Sequence, residues 1–417
     1  MQSGNGGVNT IPSKAMNGQL FPPCPPPVMN GAPPPMIDWL AQPDDDTEGP
    51  VAKPPNTAGE SMPEFGARIM ETVNAGFIAL SIAVGKETGL FSVLAGFEGQ
   101  PKTSQEIADE AGLKERYVRE WLGAMTTGRI VNMDASGKRF FLPPHRAIFL
   151  TTPGLGYELT ILAAALPMQG KVFNYIIDSF KRDGPRGISY EHFGDFHRFM
   201  NACSLIWWDR HLVSTFIPSI PGLKDMLETG ISVLDLGCGE GGASLILGKA
   251  FPQSSIVGVD LCSHAVAEAK KAATAQQLTG NVHFVEMDAH DIPDDWEGRF
   301  HYVLAWDSIH DMARPEKILE RVRKVLAPGG RMSVLEVNAR SAIADNMNMP
   351  FASTFYTNSM FHCMTVQLHA GGEGLGNMWG RERAEETLRS GGFKVETFPS
   401  PFEGSFNCHF LCKLENE

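Results

Sequence analysis

Apolar residues fall on helical spacing from Phe65 onward through ARIMETVNAGFIALSIAVGKETGLFSVLAG, with Gly85 and Gly89 near the end of the main helix. The following stretch, TSQEIADEAGLKERYVREWLGAMTTGRI, reads as helix–turn–helix. Thr103 or Ser104 caps its first helix, Gly112 turns the chain, and Tyr117, Trp121 and Leu122 form an apolar face. VNMDASGKRFFL then alternates around a Ser-Gly turn, as a β-hairpin should, and helices followed by a hairpin predict a winged helix. Residues 151–227 read as mostly helical and rich in aromatic rings. Beyond them the pattern alternates between strands and helices. ISVLDLGCGEG, SSIVGVD, VHFVEMD, RFHYVLAWD and GGRMSVLEVN are the strands, separated by helical segments. That βαβαβ order predicts a parallel sheet with helices on both faces, and ligands at the carboxyl ends of its strands.

Composition sharpens the boundaries. Of the 29 prolines, 13 lie in residues 1–60, including FPPCPPP and GAPPPM, where apolar periodicity is weak, so a disordered tail is expected there. The expected domains are therefore a tail (1–60), a winged-helix domain (61–155), a helical linker or substrate lid (156–228) and a catalytic α/β domain (229–417). The net charge of −13 argues against a general nucleic-acid binder, since phosphate contacts come chiefly from clustered Lys and Arg. Arg116 and Arg119 of the winged helix are matched by Glu115 and Glu120, so that domain reads as scaffold rather than DNA reader. Uninterrupted apolar runs stop short of the ~20 residues that span a bilayer, so no membrane segment is expected. The start lacks the basic and apolar regions of a signal peptide. Seven scattered cysteines fit reduced thiols better than a disulfide framework, and a cytoplasmic location is expected.

Chemistry concentrates at the first strand end. Gly237, Gly239 and Gly242 match G-x-G-x-x-G, which raises a dinucleotide site. Three features favour S-adenosylmethionine instead. Asp235 precedes the glycines on the strand, where its carboxylate can receive an ammonium. Gly241 completes D-x-G-x-G-x-G, and Asp288 in MDAHDIP can accept from an adenine amino group. This cofactor carries no pyrophosphate, so acidic strand ends suit it.

The order of glycine-rich turn, Asp260, Asp288, Asp307 and then Leu326–Gly330 (L-x-P-G-G) resembles the class I S-adenosylmethionine-dependent methyltransferases. The winged-helix front, WDSIHDM and HCMTVQLHAGGEGLGNMWG narrow the resemblance to a two-domain small-molecule family with an N-terminal winged helix. It covers roughly residues 65–415 and implies a Rossmann-like seven-stranded sheet, mostly parallel, ending in an antiparallel hairpin from FKVETFPS and NCHFLCKLE. By resemblance, Asp235, Gly237, Cys238, Gly239 and Gly241 surround the methionine portion of the cofactor. Asp260 takes the ribose hydroxyls, with Leu261 beside the adenine. Asp288 and Ala289 hold the adenine edge, and Asp307 and Ser308 lie near the sulfonium.

A small-molecule methyl acceptor is expected, with a thiol as the leading choice. O- or N-methylation of an aromatic or amine metabolite is an alternative, as is a winged-helix regulator that senses the cofactor. His310 is the candidate general base, its tautomer set by Asp311 or a backbone carbonyl. Tyr190, Trp207, Trp208, His211, His362, His369 and Trp379 are candidate acceptor contacts, most of the aromatic rings being core. His362 and His369, seven apart, would share a helical face. GGEGLGNMWG, with Met378 and Trp379, is expected to cover the substrate. No metal is expected, because Cys363 beside His362 does not make a zinc spacing. The winged helix leaves a homodimer open.

Overall fold

The computed structural model describes residues 59–152, 157–194, 196–400 and 405–414. The proline-rich tail of residues 1–58 lies outside them. The chain divides into two compact units. Among the described residues, one is 81–152 and the other holds 59–80 together with those after 152.

The smaller unit begins inside the helix Met62–Glu87 and continues through helices Leu90–Gly96, Ser104–Ala111 and Glu115–Thr127. Two short antiparallel strands follow, β1 (Asn132–Met133) and β2 (Phe140–Phe141). Thr103 settles the cap: its hydroxyl accepts from the Glu106 backbone N–H while the Glu106 carboxylate returns to the Thr103 N–H, a full capping box. Arg116 pairs with Glu120, and Arg119 with Glu115 at 3.5 Å, so the helix that would face DNA neutralises its own charges. Trp121 and Leu122 are buried, but Tyr117 is 74% exposed and does not join the apolar face. The buried face of that helix is Val118, Trp121, Leu122 and Met125, and position 117 falls outside it.

Gly85 is tightly enclosed. A Cβ there would lie 2.5 Å from the Trp121 ring and 2.8 Å from Phe91. Gly85→Ala is therefore expected to destabilise this unit by about 1–3 kcal/mol through overpacking, more than the ~0.5–1 kcal/mol that alanine gains in a helix. A urea titration measures the difference.

The helix Met62–Glu87 bears on the expectation of no membrane segment without overturning it. Its length and its hydropathy of 1.3 are enough, by composition, to cross a membrane, and 6% of the apolar window is buried. Counting uninterrupted apolar runs misses it because Asn74, Gly76 and Ser81 break the run without adding charge.

The larger unit is built on a seven-stranded sheet: β3 (Ser232–Leu236), β4 (Ser255–Asp260), β5 (Val282–Glu286), β6 (Phe300–Trp306), β7 (Leu326–Val337), β8 (Phe393–Pro399) and β9 (Asn407–Leu414). Their order is β5-β4-β3-β6-β7-β9-β8, parallel from β5 through β7, with β9 inserted antiparallel between β7 and β8. Strands covered on both faces read as continuous apolar runs, and β6 (FHYVLAW) is buried along nearly its whole length. The helix Pro315–Val325 shows why the helices dock. Ile318, Leu319, Val322 and Val325 form one buried stripe, each contributing about 1.5–3 kcal/mol on burial, while Arg323 and Lys324 complement its C-terminus. The strand order reverses between β4 and β6, on either side of β3, which places a crevice at the carboxyl end of β3.

Candidate functional site

Because β3, β4, β5 and β6 are parallel neighbours, their C-terminal acids meet at one sheet edge. Asp235 lies in β3, Asp260 ends β4, Asp288 follows β5 and Asp307 follows β6. The turn after β3 relies on glycine at two points. Gly237 has φ +75° and faces Ser308, whose Cβ would be 2.7 Å from a Cβ there. Gly241 has φ +77° against Phe284 and Ala269. Between them Gly239 faces open space.

Asp260 organises this turn. Its Oδ2 accepts the Gly239 N–H at 2.8 Å and its Oδ1 accepts the Cys262 N–H at 2.8 Å. Each oxygen keeps a lone pair for a further donor. Leu261 beside it is 59% exposed, an apolar surface next to that carboxylate. Asp235 is buried, its Oδ2 accepting from the Ser244 hydroxyl, and burial raises its pKa to about 6. Cys238 is also buried, which pushes its thiol far up. Asp288 caps a short turn. Its Oδ1 takes both the His290 N–H at 2.9 Å and the His290 ring Nδ1 at 2.6 Å, with Ala289 buried alongside. The Ser308 hydroxyl donates to the Leu236 carbonyl, tying β6 to β3. A carboxylate on a β-strand end, an open glycine and an exposed leucine fit an adenosine with two ribose hydroxyls. Four acids at the same edge fit a polyphosphate poorly.

Asp307 has φ +47°, a conformation few non-glycine residues adopt, and the Asn407 amide donates to its Oδ1 at 2.7 Å. Burial, together with the nearby Glu336 carboxylate, raises it to about 7. Three residues on, the structure replaces one expectation. The His310 Nδ1 is held by Glu336 of β7, not by Asp311 or a backbone carbonyl. Glu336 is 1% exposed and also receives the Trp379 indole N–H at 3.3 Å. The Nε2 of His310 is left 3.5 Å from Asp311 Oδ1. Burial alone would lower the His310 pKa, but the Glu336 and Asp311 carboxylates outweigh it and hold it well above the usual histidine value. Asp311 is itself raised by burial and accepts the Tyr190 hydroxyl at 3.2 Å.

Two π-helical segments shape the surroundings, Trp208–Phe216 and Ser359–Cys363. Such segments often mark functional sites. The second brings the Cys363 thiol and the His362 ring to the His310 cluster. Cys363 is pushed up to about 11 by burial, despite its hydrogen bond with His310. Phe196 stacks on His362 at 3.4 Å between ring centroids, and Tyr190 meets both His362 and His197. Two overlapping trios, His310–Asp311–Cys363 and Asp307–His310–Glu336, hold ligand atoms within 4.8 Å of one another and are close enough to take a metal ion.

The remaining acceptor candidates separate. Trp208 lies over the first turn of the helix Gly242–Ala250 with Asn201, and makes an edge contact with Trp306. Trp207 and His211 face each other at 6.1 Å, and burial with Arg210 lowers His211. His369 is exposed while His362 is buried: His362 lies inside the π segment Ser359–Cys363, and His369 is the last residue of the helix Met364–His369. Trp379 and Met378 are 4% and 6% exposed and packed into core clusters, while Gly371 and Glu373 are exposed, so the Met-Trp end of GGEGLGNMWG is buried wall rather than a cover. Gly372 and Gly376 press on Gln367 and Ser359, and the Gln367 side chain bonds Leu375 N–H and the Met312 carbonyl. Sequence reasoning missed Glu336, whose signal was a lone acid inside an apolar strand, and Phe196 and His197, which were lost among many aromatic rings.

Comparison with known proteins agrees with this geometry. Residues 76–152 match the Rv2258c-like winged HTH domain, and residues 227–388 match the Methyltransferase domain family. The chain is 31% identical over 130 residues to the tRNA 5-carboxymethoxyuridine methyltransferase of Escherichia coli K12, covering 30% of this chain and 47% of that protein. It is 38% identical over 104 residues to the demethylmenaquinone methyltransferase of Thermus thermophilus, covering 25% and 46%. The chain thus spans about half the length of these relatives. In fold it is similar to the mitomycin 7-O-methyltransferase MmcR (TM-score 0.61, 16% identity, 86% of this chain and 99% of that one). It is likewise similar to human N-acetylserotonin methyltransferase solved with S-adenosylmethionine (TM-score 0.56, 17% identity, 85% and 99%). The chain carries a winged helix-turn-helix domain over residues 76–152 and a methyltransferase domain over residues 227–388, in a fold similar to that of S-adenosylmethionine-dependent methyltransferases.

Proposed function

We propose that this protein transfers a methyl group from S-adenosylmethionine to a hydroxyl of a small molecule. The observation that carries the reading is the His310–Glu336 pair at the crevice where four acidic strand ends converge. When bound, S-adenosylmethionine supplies an electrophilic methyl on a sulfonium, an excellent leaving group. Asp260, Leu261 and the Gly237–Gly241 turn hold its adenosine and methionine portions, with Asp235 toward the ammonium, and Asp288 and Ala289 at the adenine edge. Asp307 and Ser308 face the sulfonium side, where a buried carboxylate favours a positive charge.

The remaining task is to orient and deprotonate the acceptor. Orientation can supply roughly 7–11 kcal/mol of the barrier. Glu336 fixes the His310 ring through Nδ1, and Nε2 takes the acceptor's proton as the acceptor's hydroxyl displaces the Cys363 thiol from it, with Glu336 stabilising the imidazolium that forms. A thiol, partly ionised near neutrality, needs little of this, whereas a phenolic hydroxyl with pKa about 10 needs it strongly. The buried histidine–carboxylate pair therefore favours a hydroxyl over the thiol expected from sequence. Similarity to proteins described as O-methyltransferases supports the same choice. The test is to compare matched phenols, thiols and amines as acceptors with isotope-labelled methyl donor. Turnover of phenols above thiols is expected. A clear preference for thiols overturns the hydroxyl assignment.

A further inference from the structure

Resting on that reading, the environment of Asp311 narrows the acceptor's chemistry. His362 is 6% exposed, and neither of its ring nitrogens has a hydrogen-bond partner among the described residues. Asp311 Oδ1 is likewise buried without one, and the His362 Nδ1 stands 3.8 Å from Asp311 Oδ2. Buried polar atoms are nearly always satisfied, so orphans from two adjacent side chains mark where a ligand's polar groups belong. Aromatic rings enclose the same place: Tyr190, Phe193 and Phe196 all contact the His362 ring.

The charge of the place is one-sided. Asp307, Asp311 and Glu336 converge on a single compensating imidazole, His310. The charged groups acting most strongly on Asp311 are His310 and Glu336, and those acting on His362 are His197 and His310. A carboxylate brought into this enclosure would meet buried like charge, while a protonated amine would give Asp311 Oδ1 the hydrogen bond it lacks and a second cation beside the His310 ring 3.5 Å away. His362, kept neutral by burial and by its histidine neighbours, offers one donor and one acceptor to uncharged groups.

We propose that the acceptor site selects a small molecule carrying a basic nitrogen, held as a cation by Asp311, and rejects acceptors that carry a carboxylate. Asp311 is then a specificity residue, rejecting anions through desolvated like charge as well as attracting cations.

The test needs no turnover. The full chain is saturated with S-adenosylhomocysteine in the presence of a chelator, and two matched series are titrated by calorimetry. One series is tyramine, para-ethylphenol and para-hydroxyphenylacetate, and the other is cysteamine, mercaptoethanol and thioglycolate. The amine member of at least one series is expected to bind about tenfold or more tighter than the acid. Asp311→Asn is expected to bring the two within about threefold, and Asp311→Glu to retain the order. Equal or tighter binding of the acids by the wild-type protein overturns the proposal. So does an order that survives Asp311→Asn, or a failure of every member to bind while S-adenosylhomocysteine still binds. Failure of S-adenosylhomocysteine itself overturns the underlying methyltransferase reading instead.

Discussion

Asp260→Ala is expected to weaken S-adenosylhomocysteine binding by about two orders of magnitude or more. Two charge-assisted hydrogen bonds to ribose hydroxyls are each worth roughly 1.5–3 kcal/mol, and 1.4 kcal/mol is a factor of ten. The substitution also frees the Gly239 and Cys262 backbone N–H groups, which Asp260 accepts at 2.8 Å each. Those groups are part-buried, so folding stability falls by about 1–3 kcal/mol, and the turn that presents the open Gly239 loosens. Asp260→Asn is intermediate: its amide keeps one acceptor oxygen but sets an NH2 against the other backbone N–H, so it is expected to recover only part of the stability and part of the affinity. Calorimetry and thermal melting of the same preparations measure both. Unchanged affinity in Asp260→Ala would remove Asp260 from the cofactor site.

His310→Gln is expected to lower kcat for a phenolic acceptor by about 10²–10⁴-fold, the usual contribution of a positioned general base, and to lower it much less for a thiol. Glu336→Gln keeps the shape of the cluster and removes its charge, and the direction of its pH effect follows from the electrostatics. Glu336 and Asp311 hold the His310 pKa above its ordinary value, so the base form, and with it the rate, appears only as pH rises through that raised pKa. Taking away the Glu336 charge lowers the His310 pKa. The rising limb of the pH–rate profile is therefore expected at lower pH, with a reduced plateau because the imidazolium is less stabilised. A limb that stays in place, or equal losses for phenol and thiol in His310→Gln, would make His310 a packing residue.

The sheet was legible because β3, β4, β5 and β6 are mainly apolar runs with an aspartate at or near their ends. The glycine turn, Asp260, Asp288 and Asp307 are short-range signals of that pattern, and all lie at the predicted edge. The antiparallel hairpin was expected from the family resemblance, matched by FKVETFPS and NCHFLCKLE. What sequence spacing missed depends on long-range pairing or on helical phase. Glu336 reaches His310 only because β6 and β7 are neighbours in register, a relation across 26 residues that local periodicity does not carry. His362 and His369 were read on one ideal helix, whereas His362 sits buried in the π segment Ser359–Cys363 and His369 is exposed at the end of the following helix. Trp379 looked like a cover because its neighbours are glycines. Those glycines are needed instead for close packing, and the indole is buried against Glu336.

The most direct test of the account is methyl transfer itself. The full chain is incubated with S-adenosylmethionine labelled in the methyl group and with phenols carrying a basic nitrogen, a neutral group or a carboxylate, and the products are identified by mass spectrometry. The account predicts one labelled methyl on the hydroxyl oxygen, produced fastest from the amine-bearing phenol and lost in Asp260→Ala and His310→Gln. Label on another atom, or product formation that persists in both variants, would contradict it.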